Sequence, residues 1–131
     1  MASKEDRNRF LAAALLFVAA GIHVLAAYEP DHLESQLFYV FWAIVAAQAA
    51  AGALVLLGNE WGIAGAILVN ATLILAYVVT RTVPLLEETQ EPAEVLGIAS
   101  KAVEIASLPL LIWMWRAPPS VRPSRGDAKA A

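Results

Sequence analysis

Four long apolar stretches constrain the fold of this chain more than any other feature of it. They cover residues 10–28, 37–58, 61–80 and 94–115. A helix that crosses the hydrocarbon core of a bilayer needs about 20 mostly apolar residues, and each stretch is of that length. Hydrophobic residues make up 60% of the chain, more than soluble domains carry, so the surplus must face something other than water. We predict an all-α, four-helix transmembrane bundle over residues 1–117.

The connections and the basic residues predict how the chain crosses the membrane. Short connections favour antiparallel neighbours, hence an up-down-up-down course. Lysine and arginine are concentrated near the two ends, whereas Arg81 alone stands on the opposite side, so we expect both termini in the cytoplasm. The first stretch is longer than the apolar region of a signal peptide and is expected to remain as a helix of a multi-pass inner-membrane protein. Residues 118–131 are expected to be disordered.

Several classes of function are excluded by composition. The chain has no cysteine, which removes disulfides, thiolate metal sites, iron–sulfur clusters and thiol nucleophiles. Its few basic residues are divided between two ends, so nucleic acid is not an expected partner, whereas anionic lipid headgroups are.

The two outer loops are acidic, and are either simply solvated or a mouth that attracts cations. Their acidic residues are Glu29, Asp31, Glu34, Glu87, Glu88, Glu91 and Glu94.

Polar residues of three spans fall at one depth. Gln48 lies eleven positions after Leu37, Asn70 eleven before Arg81 and Glu104 eleven after Ala93. At about 1.5 Å of rise per residue, all three lie about 16 Å below the outer edge, near the midplane. His23 of the first span is expected at a depth of about 7–8 Å, and Lys101 of the fourth at about 12 Å.

These residues predict a ligand site that opens to the outside. Residues seven or eleven apart share one stripe of a helix, so Tyr77 and Arg81 lie on the stripe of Asn70, and Lys101 and Glu104 share another. The inner halves of the spans carry no such stripe, which predicts a cleft closed toward the cytoplasm. Ligand contacts are expected from His23, Gln48, Asn70, Tyr77, Arg81, Lys101 and Glu104, with Glu104 as the titrating group.

Structural interpretations of the same residues stay open. Lys101 and Glu104 are three positions apart and can form an internal ion pair that serves only helix packing. Gln48 and Asn70 can serve as hydrogen-bonding contacts between helices, each worth about 0.6 kcal/mol. The Ala- and Gly-rich faces of the second and third spans fit close packing within the bundle or a homodimer equally well.

The two histidines suggest a metal site as an alternative. His32 follows a bend at Pro30, and if that loop folds back, His23 and His32 could face one site that Glu34 or another carboxylate completes. Such a set suits zinc, manganese or ferrous iron. Haem ligated by both imidazoles is disfavoured, because they leave the same helix end whereas haem sites in bundles draw ligands from facing helices.

Two resemblances follow from these residues. In size and number of spans the chain resembles the small multidrug resistance transporters, but those carry their essential membrane glutamate on the first helix, where this chain has His23. The pattern of His23, then Pro30-Asp31-His32-x-Glu34, with Gln48 midway along the second span, resembles small uncharacterised four-helix membrane proteins of actinobacteria and related bacteria. That resemblance implies the four-helix fold and carries no assigned activity.

Three functions remain to be distinguished. The first is a membrane protein that binds a cation or small polar ligand in the outward-open cleft, as a small transporter would. The second is a metal-dependent membrane enzyme that acts on a lipid or quinone-like substrate with the same residues as ligands and acid/base groups. The third is a structural or assembly subunit of a membrane complex. The sequence leaves open whether the protein is an enzyme.

Overall fold

The structure, a computed structural model, describes residues 3–82 and 95–117, and every regular element in these ranges is helical. The elements are listed in chain order: α1 (Lys4–Ala27), α2 (Pro30–Leu33), α3 (Gln36–Leu56), α4 (Glu60–Thr82) and α5 (Val95–Arg116). The all-α four-helix prediction is therefore confirmed. The predicted acidic loop at 81–94, apart from its first two residues, and the tail at 118–131 lie outside the described residues.

Local capping explains where the helices depart from the predicted spans. The helix α1 begins at Lys4, before the apolar stretch, because Ser3 accepts a hydrogen bond from the Asp6 backbone while the Asp6 carboxylate accepts from Ser3. The helix α3 ends at Leu56 because Gly58 takes a φ of 73°, and the next N–H, of Asn59, donates to the Leu54 carbonyl at 2.9 Å.

The four long helices form a closed ring of neighbours around a two-part interior. α1 packs against α3 and α5, and α4 packs against the same two helices. One part of the interior, here called the apolar half, holds only aliphatic side chains and methionine, which pack by shape. It consists of Ala12, Leu16, Ala51, Val55, Ala66, Leu111 and Met114.

Close approach of α3 and α4 depends on Gly62. A Cβ atom added at Gly62 would lie 2.8 Å from the Leu54 carbonyl carbon and 2.9 Å from the Val55 backbone nitrogen. Real Cβ atoms do not come so near to backbone, so any larger residue would force the helices apart. Small residues that allow backbones to touch are typical of helix contacts in membranes.

The outward faces of the bundle are apolar. Each of the four long helices is long and apolar enough to cross a membrane. In the most apolar 18-residue segment of each helix, between 17% and 44% is buried inside the bundle. The remainder, which includes Phe10, Leu68, Leu75 and Val95 at 64–82% exposure, lies on the surface. A continuous apolar surface of this kind needs a lipid or protein environment, consistent with a membrane protein.

Candidate functional site

Polar side chains from all four long helices, all of them buried except the partly buried Lys101, meet next to the apolar half. We call this cluster the polar layer. It consists of His23 of α1, Gln48 of α3, Asn70 of α4, and Lys101, Glu104 and Ser107 of α5. Gln48, Asn70 and Glu104 are each 0% exposed. Because a buried polar atom without a partner costs several kilocalories per mole in hydrocarbon, such residues must bond to one another.

The His23 ring is tied to its own helix and to α3. Its Nδ1 lies 2.9 Å from the Ala19 carbonyl oxygen and 3.0 Å from Gln48 Oε1. The i−4 carbonyl is a partner that the helix itself supplies, whereas Gln48 is a partner that only the packing of α1 on α3 supplies. The imidazole is therefore fixed in orientation as well as in position.

Gln48 is the centre of the polar layer. Its Nε2 donates to Asn70 Oδ1 at 3.3 Å and to Glu104 Oε1 at 3.1 Å. Asn70 Nδ2 in turn donates to Ser107 Oγ at 2.7 Å, and Ser107 Oγ donates to the Glu104 carbonyl at 2.7 Å. The side-chain amide of Gln48, on α3, is thus hydrogen-bonded both to α4, through Asn70, and to α5, through Glu104.

The Glu104 carboxylate has a lysine on one oxygen and a histidine near the other. Lys101 Nζ donates to its Oε2 at 2.6 Å, and His23 Nε2 lies 3.7 Å from its Oε1. The side chain of Lys101 is 12% exposed, so the ion pair is almost fully withdrawn from solvent. Removing one partner of such a pair costs about 3–5 kcal/mol, because the other charge is left buried without compensation.

Tyr77 and Arg81 lie beside Lys101. The Arg81 guanidinium carbon is 3.8 Å from the centroid of the Tyr77 ring, and Lys101 Nζ is 5.7 Å from it. Both cations therefore interact with one aromatic ring. The Tyr77 edge rests on α5, since a Cβ atom at Gly97 would come within 3.0 Å of Tyr77 Cε2. These residues join the polar layer to the end of the bundle where α4 finishes.

The structure brings together most of the residues that the sequence suggested. The convergence expected for Gln48, Asn70 and Glu104 is present, with Lys101 and His23 bonded or adjacent to the same carboxylate. The deep side chains are closed off, and a groove lined by Asp6, Arg7, Arg9, Phe10 and Leu56 lies at the other end of α1 from His23. Ligand binding at the polar layer, and its opening to the outside, remain predictions.

The suggested metal set is not assembled. Within residues 3–82 and 95–117, no three histidine, aspartate or glutamate side chains are grouped as metal ligands would be. His32 is 2% exposed and its Nδ1 lies 2.7 Å from the Ala26 carbonyl oxygen, whereas Glu34 is exposed. The two imidazoles do share a neighbour, because both pack on Phe41, with ring centroids 6.0 Å and 4.9 Å away.

Ser107 is the member of the polar layer that the sequence analysis did not assign. It lies three positions after Glu104, hence on the same face of α5, which is the signal that could have identified it. A serine in an apolar helix commonly bonds the carbonyl of the preceding turn, and Ser107 does so. Its second bond, from Asn70, depends on how α4 and α5 pack.

Comparison of the chain with protein-family models, curated proteins and solved structures finds no match. The fold itself defines the class of protein, which is a four-helix bundle able to span a membrane and containing a buried polar layer. The resemblance to small actinobacterial membrane proteins remains a prediction.

Proposed function

We propose that this protein is a multi-pass inner-membrane protein that binds a cation or a small polar ligand at the polar layer, as a small transporter would. The observation that carries the proposal is the Glu104 carboxylate, which is fully buried and faces Lys101, Gln48 and His23 from three helices. Ionisable groups inside a membrane are expensive and usually mark the path of an ion or ligand.

The proposed course is up-down-up-down with both termini in the cytoplasm. In support, the apolar half draws on α1 as far as its middle, on the early turns of α4 and on the later turns of α3 and α5. In this proposed course, which follows the positive-inside rule, the apolar half would lie toward the cytoplasm and the polar layer beyond it. A ligand would then enter from the outer end, past Tyr77, Arg81 and Lys101. Membrane lipid is the proposed partner of the apolar faces.

A structural role is the second candidate, and one observation favours it. The hydrogen-bond partners of Gln48, Asn70 and Ser107 all lie within the bundle. A satisfied network of this kind can serve only to hold four helices in register. The metal-dependent enzyme has no comparable support, since the described residues do not assemble a metal-ligand group.

Ligand-dependent stabilisation tests the proposed function against the structural role. The full chain would be purified in lipid nanodiscs, and its Tm measured with sodium, magnesium or guanidinium chloride and across about pH 5 to 8. A ligand that binds only the folded state raises Tm in a saturable manner. We expect at least one of these cations, the proton included, to do so.

The matched variants are Glu104→Gln and Glu60→Gln. Glu60 is an exposed carboxylate at the start of α4, so its substitution changes the same chemistry outside the polar layer. The cation-dependent shift should disappear in Glu104→Gln and persist in Glu60→Gln. If no probe shifts Tm, or if Glu104→Gln retains every shift, the binding function is wrong and the structural role stands.

A further inference from the structure

Two backbone carbonyls determine the direction of the hydrogen bonds made by His23, Gln48, Asn70 and Ser107. The first is that of Ala19, which can only accept, so the His23 Nδ1 beside it must carry a proton. That N–H also points to Gln48, which therefore presents its oxygen to His23 and its amide nitrogen to Asn70 and Glu104. The orientation of the Gln48 amide is thus assigned from its partners.

The second carbonyl is that of Glu104, at the other end of the network. It accepts from Ser107 Oγ, so the hydroxyl proton of Ser107 is committed and its oxygen accepts from Asn70 Nδ2. Asn70 then presents Oδ1 to Gln48, which agrees with the direction assigned from the Ala19 end. The hydrogen-bond directions derived from the Ala19 carbonyl and from the Glu104 carbonyl therefore agree. From Ala19 to Glu104, every donor faces an acceptor.

His23 Nε2 and Glu104 Oε1 are neighbours in the polar layer that no hydrogen bond joins. With Nδ1 protonated, a neutral imidazole presents a lone pair at Nε2, and an ionised Glu104 presents a lone pair at Oε1. The two atoms lie 3.7 Å apart, which is farther than a hydrogen bond. Two lone pairs that face each other repel, whereas one proton between them converts the repulsion into a hydrogen bond.

We infer that the cation of the polar layer is a proton, shared by His23 Nε2 and Glu104 Oε1; this inference rests on the proposed function. A hydronium ion at the outer end gives up one proton to Nε2 or Oε1 and leaves as water, and no other covalent bond changes. It changes the summed charge of Lys101, Glu104 and His23 from zero to plus one. Tyr77 and Arg81 of α4 lie beside Lys101, and His32 lies across Phe41.

A proton fits this site better than a metal cation does. Glu104 Oε2 is already held by Lys101 and Oε1 by Gln48, and both Glu104 and Gln48 are fully buried. Hard cations such as magnesium or calcium require about six to eight oxygen ligands at close range. The polar layer offers no such set among the described residues, and Lys101 would have to leave first.

The ionisation states of the two histidines can be measured directly by nitrogen NMR. The chain has only two histidines, so ¹⁵N-histidine labelling of the full protein in nanodiscs gives two sets of ring signals, which a His32→Asn variant assigns. We expect His23 to be the Nδ1–H tautomer when neutral, and to gain a proton at Nε2 on acidification between about pH 8 and about pH 4.

Two variants separate the proton site from simple packing. In Glu104→Gln, the doubly protonated His23 seen in the native protein should be lost at the same pH. In His23→Asn the side-chain amide can still donate to Ala19 and Gln48 but has no Nε2, so the bundle should fold while its pH-dependent Tm shift disappears. An Nε2–H tautomer, an absence of titration, or identical titration in Glu104→Gln would each overturn the inference.

The outcome is distinguishable from failure of the proposed function. If sodium or guanidinium stabilises the protein through Glu104 while His23 does not titrate, the binding function stands and the proton is the wrong cation. If no cation shifts Tm and His23 does not titrate, both are wrong.

Discussion

The apolar half and the polar layer lie next to each other in one bundle, yet they hold the helices together in different ways. Residues such as Leu16, Val55 and Leu111 fill space and can be exchanged for side chains of similar volume. Gln48 and Glu104 instead depend on which atom donates and which accepts. The apolar half therefore sets how close the helices come, and the polar layer sets how each helix is rotated about its axis.

The largest expected effect lies in the polar layer, at the ion pair. Glu104→Ala should lower the free energy of unfolding by about 3–5 kcal/mol, because Lys101 loses its partner while remaining almost buried. Unfolding of the reconstituted protein in a denaturing detergent measures it. The double variant Lys101→Met/Glu104→Met removes both charges and should recover most of the loss. A double variant no more stable than Glu104→Ala would mean that the carboxylate acts through Gln48 and not through the ion pair.

The contact of α4 with α3 beside Val55 of the apolar half should respond to shape alone. Gly62→Ala places a methyl group against the Leu54 and Val55 backbone and should cost about 1–3 kcal/mol. Gly65 lies on the same helix with nothing within 4 Å of an added Cβ, so Gly65→Ala should be neutral or stabilising by about 0.5–1 kcal/mol. The same unfolding measurement compares the two. Equal effects would show that α3 and α4 do not touch at Gly62.

The smallest effect is the coupling inside the amide network. A double-mutant cycle of Gln48→Ala and Asn70→Ala should give an interaction energy of about 0.6 kcal/mol, the average for hydrogen bonds between membrane helices. Gln48→Ala combined with Ser35→Ala, which removes the cap of α3 and the bond from Ser35 Oγ to the His32 carbonyl, should be additive. Additivity in the first cycle as well would mean that the polar layer is a set of independent residues.

The depth of the polar residues in the bundle could be predicted from the sequence, whereas the donor and acceptor atoms of their hydrogen bonds could not. The rise of a helix is constant, so counting from the outer ends placed Gln48, Asn70 and Glu104 at one level, and the structure brings them into contact. Which atom bonds to which depends on side-chain rotamers and on the rotation of each helix. These follow from packing between residues far apart in the chain, and the sequence does not display them.

The ends of the helices, too, could be predicted from the sequence only in part. The spacing Ser3-x-x-Asp6 resembles a capping box and could have predicted that α1 begins before its apolar stretch. The four-residue helix α2 and the contact of both histidines with Phe41 could not, because they depend on the loop folding onto α3. For the same reason the sequence suggests a metal set containing His32 and Glu34 that the described residues do not assemble.

The direction of the hydrogen bonds has a consequence for how the bundle is built. In a membrane-spanning chain, Gln48 and Asn70 would be inserted before α5, and two of their partner atoms, Glu104 Oε1 and Ser107 Oγ, belong to that last helix. A chain with only three helices inserted thus carries two amides whose hydrogen-bonding capacity is partly unmet in lipid. Arrival of the fourth long helix supplies the missing acceptors at once, so completion of the bundle is expected to be a single cooperative event during biogenesis.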